Sequence, residues 1–350
     1  MESRQLGSSE IWVSSFGLGV MTFGGQSDEA DARRQLDLAF DSGITLFDTA
    51  ENYPTPLSSV TQGRSEEILG RWIRDRGVRD RVIVATKVAG PGNAAGELRY
   101  LRGDARRLDR ANIRQAIDDS LRRLDTDYID LYQVHWPERP VTTHGRARYS
   151  YLPDAVGLTP IEETLAALAE AVTSGKVRQL GVCNESPWGV STYLDASKKQ
   201  GWPRIVAIQN GYSLLDRDFE LALAEFAMRE QLRLIAYSPL AGGTLTGKYG
   251  SAPEPIPGSR SSHSAAFMRR LSGPRVSAIG AYVELAHAHG LETAHMALAF
   301  ARQQPFTASV LTAASHVGQL EDNLRAIDLV LSHELVKAIN AVHDGRPNPR

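Results

Sequence analysis

Four side chains able to hold or move a proton stand near the ends of successive apolar runs. Asp48 closes Thr45–Phe47, and Tyr53 follows five residues later in Asn52-Tyr53-Pro54, a sequence that stops a strand and turns the chain. Lys87 ends the run 81–87 (RVIVATK), and His135 lies near the end of 127–136 (DYIDLYQVHW). A phenol titrates near ~10 in water and is a weak acid or base at neutral pH. A neighbouring cation favours the phenolate and lowers that value, and Lys87 is a cation within the pattern. Each residue alone has a bland reading. A Tyr before Pro is a loop aromatic, a Lys ending a strand is solvated, an Asp there caps a turn, and a His beside a Trp packs. Four in sequence at strand ends are the set from which a parallel barrel builds a site on its carboxyl-terminal face.

The elements that would position them alternate. After a hairpin over 5–13, turned by Gly7-Ser8-Ser9, a first barrel strand is expected over 16–23, with a helix over 28–42. Strands are then expected over 45–50, 82–88, 128–135, 178–183, 205–209, 232–238 and 307–313. Helices are expected over 64–76, 109–124, 160–174, 188–199, 216–230, 276–289, 293–303 and 317–326. A further helix lies near 332–342. Ile113, Ile117 and Leu121 show the helical period in one of them. Helical crossovers keep neighbouring strands parallel, so the expected fold is α/β, a (β/α)8 TIM barrel with an amino-terminal β-hairpin and extra helices. The expectation is one domain over 1–350. Three connections after strands, 89–108, 138–158 and 241–272, are too long for simple turns and are read as walls of a substrate pocket.

Composition narrows the function. Of 350 residues 42% are hydrophobic, and 39 Lys plus Arg against 41 Asp plus Glu leave a net charge of −2. Nothing in that balance points to nucleic acid or an anionic membrane as partner. The single cysteine, Cys183, excludes an intrachain disulfide and is read as a small buried hydrophobe. The amino terminus lacks an apolar signal region, and no apolar run approaches the ~20 residues that span a bilayer, so a cytoplasmic protein is expected. His287 and His289 are two apart on a helix and face different directions, so no metal is expected. The GGTLTGKY stretch lacks the P-loop order, and no G-x-G-x-x-G follows the first strand, which argues against a Rossmann domain. Arg102, Arg106 and Arg107 are read as a solvated loop face.

With these residues in view, the chain resembles the aldo-keto reductase family nearly end to end. GLGVMTFGGQ, FDTAENYP, ATKVAGP, TDYIDLYQVHWP, SGKVRQLGVCNES, IQNGYSLL, AYSPLAGGTLTGKY and QLEDNL are similar to that family's segments in its order, and the long loops resemble its bacterial Tas-type branch. The resemblance implies a hairpin that plugs the barrel bottom, and hydride transfer from a nicotinamide to a small aldehyde or ketone, aldoses among them. Tyr53 would donate the proton, Lys87 would lower its pKa, Asp48 would hold Lys87, and His135 would bond the substrate oxygen. It implies cofactor contacts from Asn184, Gln209, Tyr237, Ser238, Pro239, Leu240, Gly242, Thr244, Lys248, Ser315, Gln319 and Asn323. The amino end of helix 317–326 would help hold a 2′-phosphate, and NADP(H) is expected over NAD(H). Family members often carry Lys or Arg in that run, whereas His316 and Gly318 stand here. Met21, Phe23 and Trp136 are expected to line the substrate pocket. The alternative is a cofactor-binding regulatory subunit of the same fold with little turnover. A metal-dependent barrel hydrolase lacks its ligands, since no strand carries H-x-H.

Overall fold

A strand points successive side chains to opposite faces, and in this chain the two faces are sorted by chemistry. The structure is a computed structural model. It describes residues 1–91, 98–103, 106–141, 157–250, 254–257, 259–263, 267–268, 271 and 273–349. The strands β1 (Ser3–Gln5) and β2 (Trp12–Ser14) form an antiparallel hairpin with Ser3 opposite Ser14. Eight further strands run parallel: β3 (Phe16–Gly19), β4 (Leu46–Asp48), β5 (Ile83–Val88) and β6 (Ile129–Val134), then β7 (Val177–Cys183), β8 (Ile205–Gly211), β9 (Arg233–Tyr237) and β10 (Thr307–Thr312). They close into a barrel in chain order, β10 pairing with both β9 and β3.

Outward residues such as Phe47, Val84 and Tyr132 join Trp72, Ile113, Ile117, Leu165 and Leu168 of the surrounding helices in the main core. Inward residues Leu46, Ala85, Leu131, Ala207, Ile235 and Leu311 form a second apolar cluster with Leu6 and Val13 of the hairpin. The hairpin therefore plugs the amino-terminal end of the barrel. Gly7 turns it with φ +60°, where a Cβ would lie 2.2 Å from the Val206 carbonyl oxygen, so both conformation and space require glycine. Arg4 fastens the plug, donating to the carbonyls of Arg302 at 2.6 Å and Thr307 at 2.8 Å. Two residues further along each strand, the same inward face turns polar: Asp48, Lys87, Gln133, Cys183, Gln209 and Tyr237.

Most expected elements fall within a residue or two of their sequence limits, with caps that explain the ends. Asp28 and Asp109 accept from the amides of Asp31 and Asn112, and Gly77 and Gly201 end their helices in the left-handed region. Two expectations are corrected. The first barrel strand stops at Gly19, since from Val20 the chain turns and the Phe23 amide bonds the Val20 carbonyl at 3.1 Å. The helix expected over 216–230 is two short helices, Asp218–Ala222 and Ala224–Arg229, broken at Leu223, where φ widens to −104° and the side chain is buried. The long connections 89–108, 138–158 and 241–272 include stretches outside the described residues.

Leu131 is fully buried in the inner cluster, whereas Leu221 is 78% exposed on its helix. Leu131→Ala is expected to lower the unfolding free energy by about 2–5 kcal/mol, and Leu221→Ala to change it by less than about 0.5 kcal/mol. Urea unfolding of both variants is the check, and equal effects would count against a packed barrel interior.

Candidate active site

At the end of β4 the Asp48 carboxylate accepts from Lys87 Nζ at 2.5 Å. Lys87 also donates to the Thr49 carbonyl at 2.7 Å and has no exposed surface. The other carboxylate oxygen of Asp48 accepts from Gln209 Nε2 at 2.8 Å and Gln133 Nε2 at 3.3 Å. A buried ion pair is tolerable when its remaining lone pairs and protons are satisfied, and amides from β6 and β8 supply that. Gln133 was not singled out in the sequence. Its signal is the strand period, since it lies two residues before His135 and pairs with Lys87 in register.

Tyr53 sits on the loop after β4, its hydroxyl 3.4 Å from His135 Nε2. The two rings meet edge to face, with centroids 5.6 Å apart. Lys87 Nζ lies 5.4 Å from the Tyr53 ring centroid. Among the described residues no hydrogen bond joins Lys87 to the Tyr53 hydroxyl. The expected lowering of the phenol's pKa is accordingly reversed. Burial lifts it well above its usual value, and the Asp48 carboxylate and Cys183 act in the same direction. Tyr53 nonetheless keeps part of its surface open to the cavity. Asn52, read in the sequence only as a turn former, places Oδ1 at 3.1 Å from His135 Nδ1.

These residues open into a cavity of about 1810 Å³ on the carboxyl-terminal face. Met21, Trp136, Asn184, Gln209 and Tyr237 line it together with Tyr53. Ser238, Pro239, Leu240, Gly242 and Lys248 form one wall, and Ser315, Gln319 and Asn323 another. Two expected residues do not reach it. Phe23 is fully buried in the main core, and Thr244 is buried with its hydroxyl donating to the Ala241 carbonyl at 3.2 Å. Thr246 lines the wall instead. The GGTLTGKY stretch makes a 3-10 turn, Ala241–Thr246, kinked at Gly242 and Gly243. Ser238 and Ala241 hold the left-handed region at φ +55° and +50°, which is costly for residues with a Cβ, and Gly242 and Gly243 continue it at +75° and +97°.

The protein itself engages several of these polar groups. Asn184 donates to the His135 carbonyl at 2.9 Å and accepts from the Tyr237 hydroxyl at 2.6 Å. The Ser315 amide and hydroxyl both reach Gln319 Oε1 at 3.0 Å. The helix Val317–Leu324 was expected to offer its amino end to a phosphate. At that end the Val317 amide meets the Asp31 carboxylate at 3.3 Å, and that carboxylate pairs with Arg34, while Gly318 lines the cavity.

The arginines after β5 are also corrected. Arg102 is buried and forks onto Glu51 at 2.5 and 2.7 Å, and Arg106 is buried with its guanidinium on the carbonyls of Gly90 and Leu98. Only Arg107, paired with Glu138 at 3.2 Å, keeps substantial exposure. Glu51, the residue before Asn52, thereby ties the tyrosine loop to the next connection. Burial holds the Glu185 carboxyl above its usual range, although Arg139 pairs with it at the cavity edge. Among the described residues no group of three or more His, Cys, Asp or Glu side chains is placed to hold a metal ion, and no helix is long and apolar enough to cross a membrane.

Comparison with known proteins agrees with this architecture. Residues 15–344 match the model of the aldo/keto reductase family. The chain is 46% identical over 343 residues to Protein tas of Escherichia coli, covering 98% of both chains. It is 32% identical to the uncharacterized oxidoreductase YrpG of Bacillus subtilis, covering 99% of this chain and 97% of that one. It is 31% identical to the aldo-keto reductase YhdN of the same organism, covering 98% and 93%.

Cys183 lies on the cavity floor, 2% exposed, and burial pushes its thiol up to about 12. The thiolate is the reactive form. A disulfide reagent at pH 8 is therefore expected to leave native protein unmodified and to label one thiol per chain after denaturation. Prompt labelling of the native protein would contradict this burial.

Proposed function

The chain belongs to the aldo/keto reductase family and is thereby an oxidoreductase; we propose that it reduces small aldehydes and ketones, aldoses among them, to alcohols with a nicotinamide cofactor, NADP(H) in preference to NAD(H). The observation that carries this reading is the meeting of Asp48, Tyr53, Lys87 and His135 at the carboxyl-terminal mouth of a closed barrel, where a large cavity opens. The lining of that cavity offers groups a dinucleotide could use: side-chain amides and an aromatic ring, a turn with positive φ, and polar side chains after β10. When bound, the nicotinamide supplies the hydride.

Tyr53 gives its proton to the carbonyl oxygen as charge develops there. Its raised pKa keeps the hydroxyl protonated at neutral pH, the form that reduction needs, and opposes the reverse reaction. Lys87 neutralises Asp48 beneath the site and places a cation under the Tyr53 ring, where it stabilises the charge left on the phenol once the proton has gone. Asn184, Gln209 and Tyr237 would face the nicotinamide. The turn from Ser238 through Pro239, Leu240 and Gly242 would follow the pyrophosphate, and Ser315, Gln319 and Asn323 would meet the adenosine. Lys248 is exposed on the same turn, its ammonium beside Gly243, and would meet the pyrophosphate. Met21 and Trp136 would bound the substrate.

Tyr53→Phe is expected to lower carbonyl reduction by about 10²–10⁴-fold, the range of a lost general acid, with cofactor affinity unchanged. The acid form is present below the raised pKa, so native kcat should hold its plateau from pH 7 to 9 with no falling limb from Tyr53. Steady-state rates on a panel of aldehydes and ketones test both statements, and near-native turnover by Tyr53→Phe would sink the assignment. Lys248→Ala is expected to weaken NADP(H) and NAD(H) binding alike, each about tenfold, the loss of one charged hydrogen bond to the shared pyrophosphate. Fluorescence titration of both cofactors decides it, and unchanged affinity for both would remove Lys248 from phosphate recognition.

A further inference from the structure

Asn184 directly follows β7 and carries φ +57°, the left-handed region that a residue with a Cβ keeps only where its surroundings hold it there. Its side chain spans the site: Nδ2 donates to the His135 carbonyl at 2.9 Å, and Oδ1 accepts from the Tyr237 hydroxyl at 2.6 Å. A carbonyl oxygen only accepts, so the first contact fixes which end of the amide faces which partner. Ahead of it, the Asn184 backbone amide donates to the Gln209 carbonyl at 3.0 Å. Behind it stands Glu185, 1% exposed and outside the proton-transfer set. The Glu185 carbonyl accepts from Asn210 Nδ2 at 3.2 Å, and its carboxylate accepts from the Ser186 amide at 2.6 Å. Arg139 forks onto that carboxylate, with Nη1 at 3.1 Å from one oxygen and Nη2 on the other, and Nη2 also donates to Ser186 Oγ at 3.0 Å. Space is reserved for this fork. A Cβ at Gly189, in the first turn of the helix Pro187–Gln200, would lie 2.2 Å from both Arg139 Nη2 and Glu185 Oε1.

We propose that Glu185 is a positioning residue: its carboxylate, neutralised by Arg139, fixes the chain just after Asn184 and so holds Asn184 in the left-handed conformation that aims its amide at the nicotinamide. This inference rests on the proposed reductase reading only for its last clause. Burial favours the neutral acid at Glu185, and the Arg139 fork and the Ser186 amide oppose it. The same ion pair sets two connections against each other. Arg139 lies on the loop after β6, which begins with His135, and Glu185 lies on the loop after β7, which begins with Asn184. Both residues line the cavity. An apolar pair of similar volume matches a buried ion pair in stability in many proteins, but it accepts nothing from the Ser186 amide. A clasp that only packs the two loops together would therefore be replaced without loss. A clasp that positions Asn184 would not.

The test compares the native protein with Glu185→Gln and with the double variant Arg139→Met, Glu185→Leu. Crystal structures without cofactor read φ of Asn184 directly. The double variant is expected to melt close to the native temperature, yet to show Asn184 at negative φ with its amide off the His135 carbonyl. Its affinity for NADP(H), from fluorescence titration, is expected to fall about tenfold, the loss of one well-aimed hydrogen bond. Glutamine has the same shape and still accepts from the Ser186 amide, so Glu185→Gln is expected to keep Asn184 left-handed and its affinity near native. It also serves as the folded variant if the double one does not fold. Asn184 unmoved and native affinity in the double variant would overturn the inference, since the clasp would then only pack. Loss in Glu185→Gln of tenfold or more would overturn it too, because the contact with the Ser186 amide would not be what holds Asn184. A native protein with Asn184 held as described, released in the double variant, but binding neither nicotinamide cofactor would uphold the positioning role and overturn the proposed function.

Discussion

A lysine with no exposed surface, held at 2.5 Å by an equally hidden aspartate, is the constraint around which the barrel is arranged. Neither charge is stable alone in such a place, and removing one partner of a buried pair costs about 3–5 kcal/mol. Four strands contribute to the settlement: β4 brings Asp48, β5 brings Lys87, β6 and β8 bring the amides of Gln133 and Gln209. The pair is thus satisfied only when non-adjacent strands are in register. The apolar layer beneath it, closed by the hairpin, keeps water from reaching it from below.

Electrostatics at the tyrosine follow from that arrangement. Lys87 spends its charge on Asp48 and on the Thr49 carbonyl, and what reaches Tyr53 is a cation beside the ring instead of a hydrogen bond to the oxygen. Burial then dominates, and the phenol rests as an acid. The site is consistent with proton donation as its ground state, with the compensating charge already in place for the moment after the proton leaves.

How much of this was legible depends on which physical rule each residue obeys. Strands and helices came from periodicity and caps, and barrel closure from the alternation itself. Asp48, Lys87 and His135 stood out because each ends a run and none belongs on an apolar face. Gln133 and Asn52 did not stand out, since an uncharged amide in a strand or a turn is unremarked until its partner is known. Phe23 and Thr244 went astray for the opposite reason: they neighbour cavity residues in sequence but face the core. Arg102 went astray because its carboxylate, Glu51, is 51 residues away in the chain, and Arg106 because its acceptors are the backbone carbonyls of Gly90 and Leu98. Asp31, which takes the Val317 amide, is further still.

The order of strands around the ring carries one more consequence. Because β10 pairs with β3, Val310 opposite Phe16, the final seam joins the two ends of the chain. Arg4 clamps the same seam from below through the carbonyls of Arg302 and Thr307. On a ribosome the chain emerges from its amino end, so seven strands are made before the one that closes the circle. Until then the sheet has two free edges, each a template for mispairing with another copy. The ring cannot reward that long wait in parts, since contacts between distant segments return their free energy only on closure. A truncation before Thr307 that spares every residue of the proton-transfer site would therefore leave an open sheet whose free edges can pair with another copy.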